Sequence, residues 1–211
     1  LWQPETYKEA SFNSPWSLGR PGWHIECSTM VNEIIGDQVT IHGGGYDLIF
    51  PHHECEVAQS ESSTGAKPYS QNWMHVNALS INSKKMSKSL GNLIRVSELL
   101  KKGINGNTIR MYLLSNHYRD GINYNEKDLV AFSTKTALLE QALIAPGGPP
   151  DDLAIQPFRN SFMNAMDDDF NTPKALDIIY EIADLIIEGK LDSKTAVPTI
   201  KELCNVLGIV L

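Results

Sequence analysis

A run β-branched in its middle, Gln38-Val39-Thr40-Ile41-His42, reads as a short strand and feeds directly into Gly43-Gly44-Gly45. Three successive glycines forgo side-chain packing and lose much backbone entropy on folding, so they point to a place where only backbone can line whatever lies opposite. Pro51 then suits the first turn of a helix over roughly residues 51–62. Trp73 to Leu79 alternates as a second strand. Upstream, Ile25, Met30, Val31, Ile34 and Ile35 space a helix from Trp23 to Ile35 that Gly36 stops. Helix, strand, glycine-rich loop, helix and strand in that order predict a doubly wound α/β sheet.

Past about residue 92 the pattern turns helical. Val96, Leu99 and Leu100 predict a helix ended by Gly103, and Ile109 to Leu114 predict another. One longer helix is expected over 126–144. Ala145-Pro146-Gly147-Gly148-Pro149-Pro150-Asp151-Asp152 reads as a linker. Beyond it, Thr172-Pro173 looks like an N-cap and first-turn pair, and Leu176, Ile179, Tyr180, Ala183, Ile186 and Ile187 space a buried face up to Gly189. A last helix is expected over 195–207. The chain thus divides into an α/β segment (1–92), a mixed connecting segment (93–145) and an all-α segment (146–211).

Composition removes several function classes. No run of eighteen apolar residues exists, which excludes a membrane-spanning helix. Three scattered cysteines, Cys27, Cys55 and Cys204, are too few for a disulfide framework and point to a reducing, cytoplasmic compartment. The net charge of −7 argues against a general nucleic-acid coat. Residues 84–135, however, hold ten Lys or Arg against four Asp or Glu, a local balance of +6, which leaves −13 for the remainder. Phosphate recognition, if present, belongs to that middle segment; a solvated helical face is the alternative.

Two clusters carry chemistry. His52 and Glu56 are four apart on the predicted helix and project from one face. With Cys27 from the preceding helix they offer one thiolate, one imidazole and one carboxylate, a donor set that suits zinc better than magnesium or calcium. Cys55, three residues from His52, is a rival ligand, and a plain His–Glu surface hydrogen bond with a buried Cys is the alternative to a metal. The second cluster is Lys84-Lys85-Met86-Ser87-Lys88-Ser89-Leu90-Gly91-Asn92. Lysines interleaved with hydroxyl residues can follow charge as it builds on a polyphosphate, though such a stretch is also compatible with an ordinary exposed loop.

Lys85-Met86-Ser87-Lys88-Ser89 matches the KMSKS signature of class I aminoacyl-tRNA synthetases letter for letter. Around it, Gly19 to Ser28 (GRPGWHIECS), Ile41 to Leu48 (IHGGGYDL), Phe50 to Ser60 (FPHHECEVAQS) and Asp167 to Pro173 (DDDFNTP) resemble, in order and spacing, segments of the cysteinyl-tRNA synthetase family. The resemblance covers nearly the whole chain. It implies the second half of a Rossmann-like class I catalytic domain followed by an all-α domain. It also implies cysteine activation by ATP, with magnesium, and transfer to tRNA(Cys).

Residue by residue, the resemblance assigns Cys27, His52 and Glu56 to zinc; a further family cysteine has no counterpart in the sequence, nor has the HIGH motif. From this the chain is expected to start midway through a catalytic domain, to stop before the family's C-terminal region is complete, and to be inactive by itself. Lys85 and Lys88 are expected to stabilise departing pyrophosphate. Gly43, Gly44, Gly45, Asp47, Met86, Ser87 and Ser89 would complete the ATP site, and Trp23 and His24 would wall the cysteine pocket. Cys55 stands where relatives commonly carry Asn, and Tyr46 where a small residue is usual. Two other readings fit the same residues: a cysteine ligase of the mycothiol type, with a sugar amine as acceptor, and a tRNA-binding module without catalysis.

Overall fold

The computed structural model describes residues 1–4, 11–87, 90–151 and 154–211. The chain forms two compact units, Leu1–Asn77 and Ala78–Leu211. Among the described residues no helix is long and apolar enough to cross a membrane.

In the first unit, β1 (Trp2–Pro4) pairs antiparallel with β2 (Gly19–Pro21). Helix α1 (Trp23–Ile34) follows and ends where Gly36 takes a φ of +126°, as the sequence predicts. Strand β3 (Val39–Gly45) and strand β4 (Ser70–Val76) run parallel, with Val39 opposite Ser70 and Gly45 opposite Val76. Helix α2 (Glu54–Thr64) is the crossover between them and packs on α1. This is the expected βαβ unit.

Two local expectations are corrected. The glycine triplet is the second half of β3 rather than a loop, because its backbone pairs with Met74, His75 and Val76. The helix expected from Pro51 begins as α2 only at Glu54. Ile49–His53 instead form a wide π-type turn in which Phe50 has extended φ/ψ, so Pro51 sits ahead of the regular helix.

The second unit opens with a hairpin that the sequence reading missed. Strand β5 (Leu79–Ile81) turns through Asn82 and Ser83, at φ +50° and +61°, into β6 (Lys84–Lys85). Two successive positive-φ residues give the turn whose twist suits an antiparallel pair. On its other side β5 runs parallel to β7 (Ile122–Tyr124), for a strand order β6-β5-β7. Helices α3 (Val96–Lys101) and α4 (Gly106–Leu114) lie between. Leu99, Ile109, Tyr112 and Leu129 form a small core beside them.

The helix expected over 126–144 is two helices, α5 (Glu126–Ala131) and α6 (Ser133–Ile144), which meet at Phe132. Ser133 and Thr134 donate their hydroxyls back to the carbonyls of Val130 and Ala131, at 2.6 and 2.7 Å, and such bonds compete with continuous helix. The Phe132 ring packs against both hydrophobic clusters of the unit.

The remaining helices are α7 (Gln156–Asp167), α8 (Thr172–Ile187) and α9 (Ser193–Val206). Asn171 caps α8 by accepting from the Lys174 backbone N–H; Thr172, read from sequence as the cap, is already helical and its hydroxyl donates to the Leu114 carbonyl at 2.8 Å. The expected buried face of α8 is observed, with Ile178 and Ile182 added to it, and the helix is the centre of the main core. The segment expected to be a linker is strapped down instead. Gly148 donates its N–H to the Leu191 carbonyl at 2.7 Å and Ser193 donates its hydroxyl to Pro146 at 2.8 Å. Ile182 is wholly buried, so Ile182→Ala is expected to cost about 2–5 kcal/mol of unfolding free energy. Chemical denaturation measures this, and a loss below about 1 kcal/mol would mean that α8 is not the packing centre.

Candidate metal centre and lysine loop

The wide turn ahead of α2 aims two consecutive imidazoles inward. His52 and His53 are each 4% exposed, and Glu56, one turn into α2, is fully buried. Burying a carboxylate without compensation is costly, yet neither Glu56 oxygen has a partner in hydrogen-bonding geometry among the described residues. Three imidazole nitrogens converge on its Oε2 instead: His42 Nε2 at 3.3 Å, His52 Nε2 at 3.4 Å and His53 Nε2 at 4.0 Å.

Among the described residues, candidate ligand atoms fall into two groups that share Glu56. Cys27, His52 and Glu56 present one atom each, mutually within 4.8 Å, and so do His42, His53 and Glu56. The first group is the one expected from sequence, and α1 and α2 bring it together by packing side by side. Cys55 belongs to neither.

Electrostatics follow from burial. Burial pushes the Glu56 carboxyl up to about 7, and the nearby Tyr69 phenol opposes the rise. His53 is pushed down to about 4, first by burial and then by His42, His75 and His52. The Cys27 thiol is raised by burial and by the charges of Glu56 and Glu26. Burial lowers His42 and His52 as well, so at neutral pH the imidazoles of His42, His52 and His53 are neutral donors of lone pairs, while the Cys27 thiol and the Glu56 carboxyl carry releasable protons. A soft sulfur, neutral imidazole nitrogen and an orphaned buried carboxylate are what a divalent cation such as zinc requires.

Around this pocket stand further rings, of which sequence reasoning left out His42, Trp73 and His75. His24 and His52 face each other through their Nδ1 atoms at 2.8 Å, and Trp23 stacks on His52 with centroids 4.5 Å apart. His53 Nδ1 lies 2.8 Å from His75 Nε2, and Trp73 stacks on His75. Five of the six histidines of the chain, 24, 42, 52, 53 and 75, are thus gathered in one unit. Trp73 and His75 were legible only as alternate residues on one face of β4, which marks a face without saying what it meets.

The glycines have distinct jobs. A Cβ on Gly44 would lie 2.7 Å from His53 Cε1, so its absence makes room for that ring; a Cβ on Gly45 would lie 2.7 Å from Asp47 Oδ1. A Cβ on Gly43 would meet only the Met74 carbonyl, at 3.5 Å. Gly44→Ala is therefore expected to displace His53 and cost about 1–3 kcal/mol, against less than about 1 kcal/mol for Gly43→Ala. Equal losses in denaturation experiments would remove the steric assignment. Asp47 is exposed in the short 3₁₀ turn Tyr46–Leu48.

In the second unit, the hairpin delivers Lys84 and Lys85 as the exposed strand β6. Asn92 then staples the loop: its side chain accepts from the Ser87 N–H at 2.9 Å and donates to the Lys85 carbonyl at 3.2 Å. Met86 donates its N–H to Leu79 at 3.0 Å, and its sulfur lies 3.5 Å from the Ile94 nitrogen. Lys88 and Ser89, also expected at the phosphate, lie outside the described residues.

The model of the "tRNA synthetases class I (C) catalytic domain" matches residues 1–134, and the DALR domain model matches residues 161–211. A cysteine–tRNA ligase of Legionella pneumophila (strain Corby) is 43% identical over 211 residues, 99% of this chain and 45% of its own length. One from Streptococcus agalactiae serotype III (strain NEM316) is 43% identical over 100% of this chain and 46% of its own length. The chain thus spans about half the length of the curated relatives it matches. Among solved structures, an Agrobacterium radiobacter K84 LeuRS–tRNA–LeuAMS ternary complex aligns with a TM-score of 0.63 at 16% identity, over 99% of this chain and 34% of that one. Mycobacterium tuberculosis methionyl-tRNA synthetase with methionyl-adenylate aligns at 0.51 and 18%, over 80% and 40%. At such identities the structural likeness concerns the fold alone, and the fold it supports is α/β followed by all-α, as read from the sequence.

Proposed function

The chain belongs to the class I (C) tRNA synthetases, and from that premise we propose that it serves the ATP-dependent activation of cysteine and transfer of the cysteinyl group to tRNA(Cys). The observation that carries this reading is the fully buried Glu56 carboxylate, without a partner in hydrogen-bonding geometry among the described residues and set beside His52 and Cys27. Those three side chains are the proposed zinc ligands. When bound, the metal supplies a thiolate-binding Lewis acid, which distinguishes cysteine from serine where shape cannot.

The other roles fall to protein groups. Trp23 and His24 wall the amino-acid pocket. Asp47 accepts from the ATP ribose, and the backbone at Gly43, Gly44 and Gly45 lets the nucleotide approach. Lys85 and Lys88 stabilise the charge of the pyrophosphate as it departs with magnesium, and Met86, Ser87 and Ser89 complete the ATP site. Displacement at the α-phosphate needs positioning and charge more than covalent help. The +6 segment over 84–135 is the part suited to the phosphates of tRNA. In functional terms, 1–92 is the catalytic segment, 93–145 the connecting segment and 146–211 the helical tRNA-side segment. The three cysteines are all free thiols, in keeping with a proposed cytoplasmic location.

ATP–pyrophosphate exchange with cysteine, followed by charging of tRNA(Cys), tests the reading with the full-length gene product. Exchange with cysteine and transfer to an amino-sugar acceptor alone would point to the mycothiol type of ligase. Salt-sensitive tRNA binding without any exchange would leave only a binding module.

Zinc binding has a specific pH signature. The metal takes only the deprotonated forms of its ligands. Cys27 is raised above its ordinary 9 and releases one proton on binding at neutral pH; Glu56, raised to about 7, releases a second as pH falls below that value. His52 is lowered and contributes none. The slope of log affinity against pH is expected to steepen from about one to about two below pH ~7. Calorimetry in buffers of different ionisation heat measures the proton count, and a constant slope of one would take Glu56 out of the ligand set.

A further inference from the structure

The turn between α7 and α8 is strained. Asp169 and Phe170 both adopt left-handed backbone, at φ +52° and +55°, which is uncommon for non-glycine residues and an outlier for a bulky one. The turn's backbone bonds back to the end of α7, Phe170 to the Met166 carbonyl and Asn171 to the Ala165 carbonyl, each at 3.0 Å; the side chains that grip Asp169 come from the segment that leaves α4. Arg119 donates Nε to Asp169 Oδ2 at 2.5 Å and Nη2 to Oδ1 at 3.3 Å, and Tyr118 donates its hydroxyl to Oδ1 at 2.6 Å. His117 Nε2 lies 2.9 Å from the Asp169 carbonyl oxygen, and Thr172 reaches back to the Leu114 carbonyl. Arg119 also lies over the Tyr118 ring, 5.1 Å from its centroid.

This clamp is a poor device for stability. Arg119 and Asp169 are 60% and 45% exposed, and exposed ion pairs contribute little to folding. It is a good device for geometry, because a bidentate fork fixes angle as well as distance. Its two sides lie in the two segments matched by separate family models, residues 1–134 and 161–211. The second of these holds four Lys and no Arg against nine Asp or Glu, a balance of −5. An acidic segment gains no general attraction for a polyanion, so its placement against tRNA must come from protein contacts.

We propose that Asp169 is a positioning residue: clamped by Arg119, Tyr118 and His117, it fixes the helical segment against the basic connecting segment so that tRNA is presented for acylation. This rests on the synthetase reading above. The clamp residues are not among the proposed metal ligands or the proposed phosphate-binding lysines, so cysteine activation is expected not to depend on them. Misplacement of a reacting group by about 1 Å can cost on the order of 100-fold. The Asp169 carboxyl is held down to about 2 by Arg119 and Tyr118, so the clamp stays charged at any working pH.

Three variants of the full-length gene product test this. Asp169→Gly accepts the left-handed backbone without strain and deletes the clamp. Arg119→Gln removes the fork and leaves the turn untouched. Asp169→Asn tolerates the backbone and keeps a partner for Tyr118. Asp169→Gly and Arg119→Gln are expected to leave pyrophosphate exchange within about twofold and to lower kcat/KM for tRNA charging by about 10- to 100-fold. Asp169→Asn should fall between them and the parent. If Asp169→Gly charges tRNA like the parent, the turn needs only its backbone shape and the proposal fails. If exchange, charging and thermal midpoint fall together in both Asp169→Gly and Arg119→Gln, the clamp is merely structural and the proposal also fails. A parent protein that neither exchanges nor charges would instead overturn the synthetase reading, and the positioning role with it.

Discussion

Cys27→Ser is expected to strip the protein of stoichiometric zinc and to abolish its preference for cysteine over serine. The thiol of α1 and the imidazole and carboxylate of the α2 segment present ligand atoms mutually within 4.8 Å. Replacing sulfur by oxygen removes the only soft donor of that set. Loss of an outer-shell partner of a metal ligand already costs about 10–100-fold in metal affinity or activity; loss of a thiolate ligand itself should exceed that. Metal analysis of the purified full-length protein should fall from about one zinc per chain to a small fraction. The Cys55→Ser variant is the control: Cys55 belongs to neither ligand group, and its zinc content should match the parent. If Cys27→Ser retains its zinc and its cysteine selectivity, the assignment of Cys27, His52 and Glu56 falls.

Lys88→Ala is expected to lower the rate of adenylate formation by about 100- to 1000-fold, while cysteine affinity changes little. A charge that acts chiefly as pyrophosphate departs stabilises the transition state more than the ground state, so its loss falls on kcat rather than on substrate binding. Lys85→Ala should resemble it but also disturb the strand. Lys85 belongs to β6, and its backbone carbonyl receives the Asn92 side chain. The separation of the two effects is measurable. Asn92→Ala removes the staple without removing a charge, and is expected to weaken ATP binding more than it slows the chemical step. A Lys88→Ala enzyme with normal exchange turnover would take the loop out of the mechanism.

The candidate site was legible in unequal parts. Cys27, His52 and Glu56 were accessible because helical spacing makes His52 and Glu56 neighbours, and because a soft donor stood in the adjacent helix. The lysine loop was accessible because its letters match a signature. The surrounding imidazoles were not. His42 and His75 reach Glu56 and His53 from β3 and β4, and which strand residue faces which helix residue depends on register. Register is set by pairing across the whole βαβ unit, not by any local pattern. The glycine triplet shows the same limit. Three glycines announce a close approach, but only the packed unit reveals that the ring opposite Gly44 is that of His53.

The sequence by itself determined the helix–strand–helix–strand order from α1 to β4, the change from α/β to all-α, the buried face of α8 and the chemistry of the ligand types. These depend on periodicity and residue chemistry, which are local along the chain. Tertiary structure alone decided three other things. It broke the helix at Phe132, where one ring serves two cores and hydroxyls bond back to the preceding turn. It moved the cap of α8 from Thr172 to Asn171, because the Thr172 hydroxyl had a distant carbonyl to satisfy. It also buried Glu56, turning an ordinary helical carboxylate into one whose pKa rises to about 7. The Ser133 hydroxyl bond is local, but the two cores that share Phe132, the Thr172–Leu114 bond and the burial of Glu56 join residues far apart in the chain, which no short window of sequence contains.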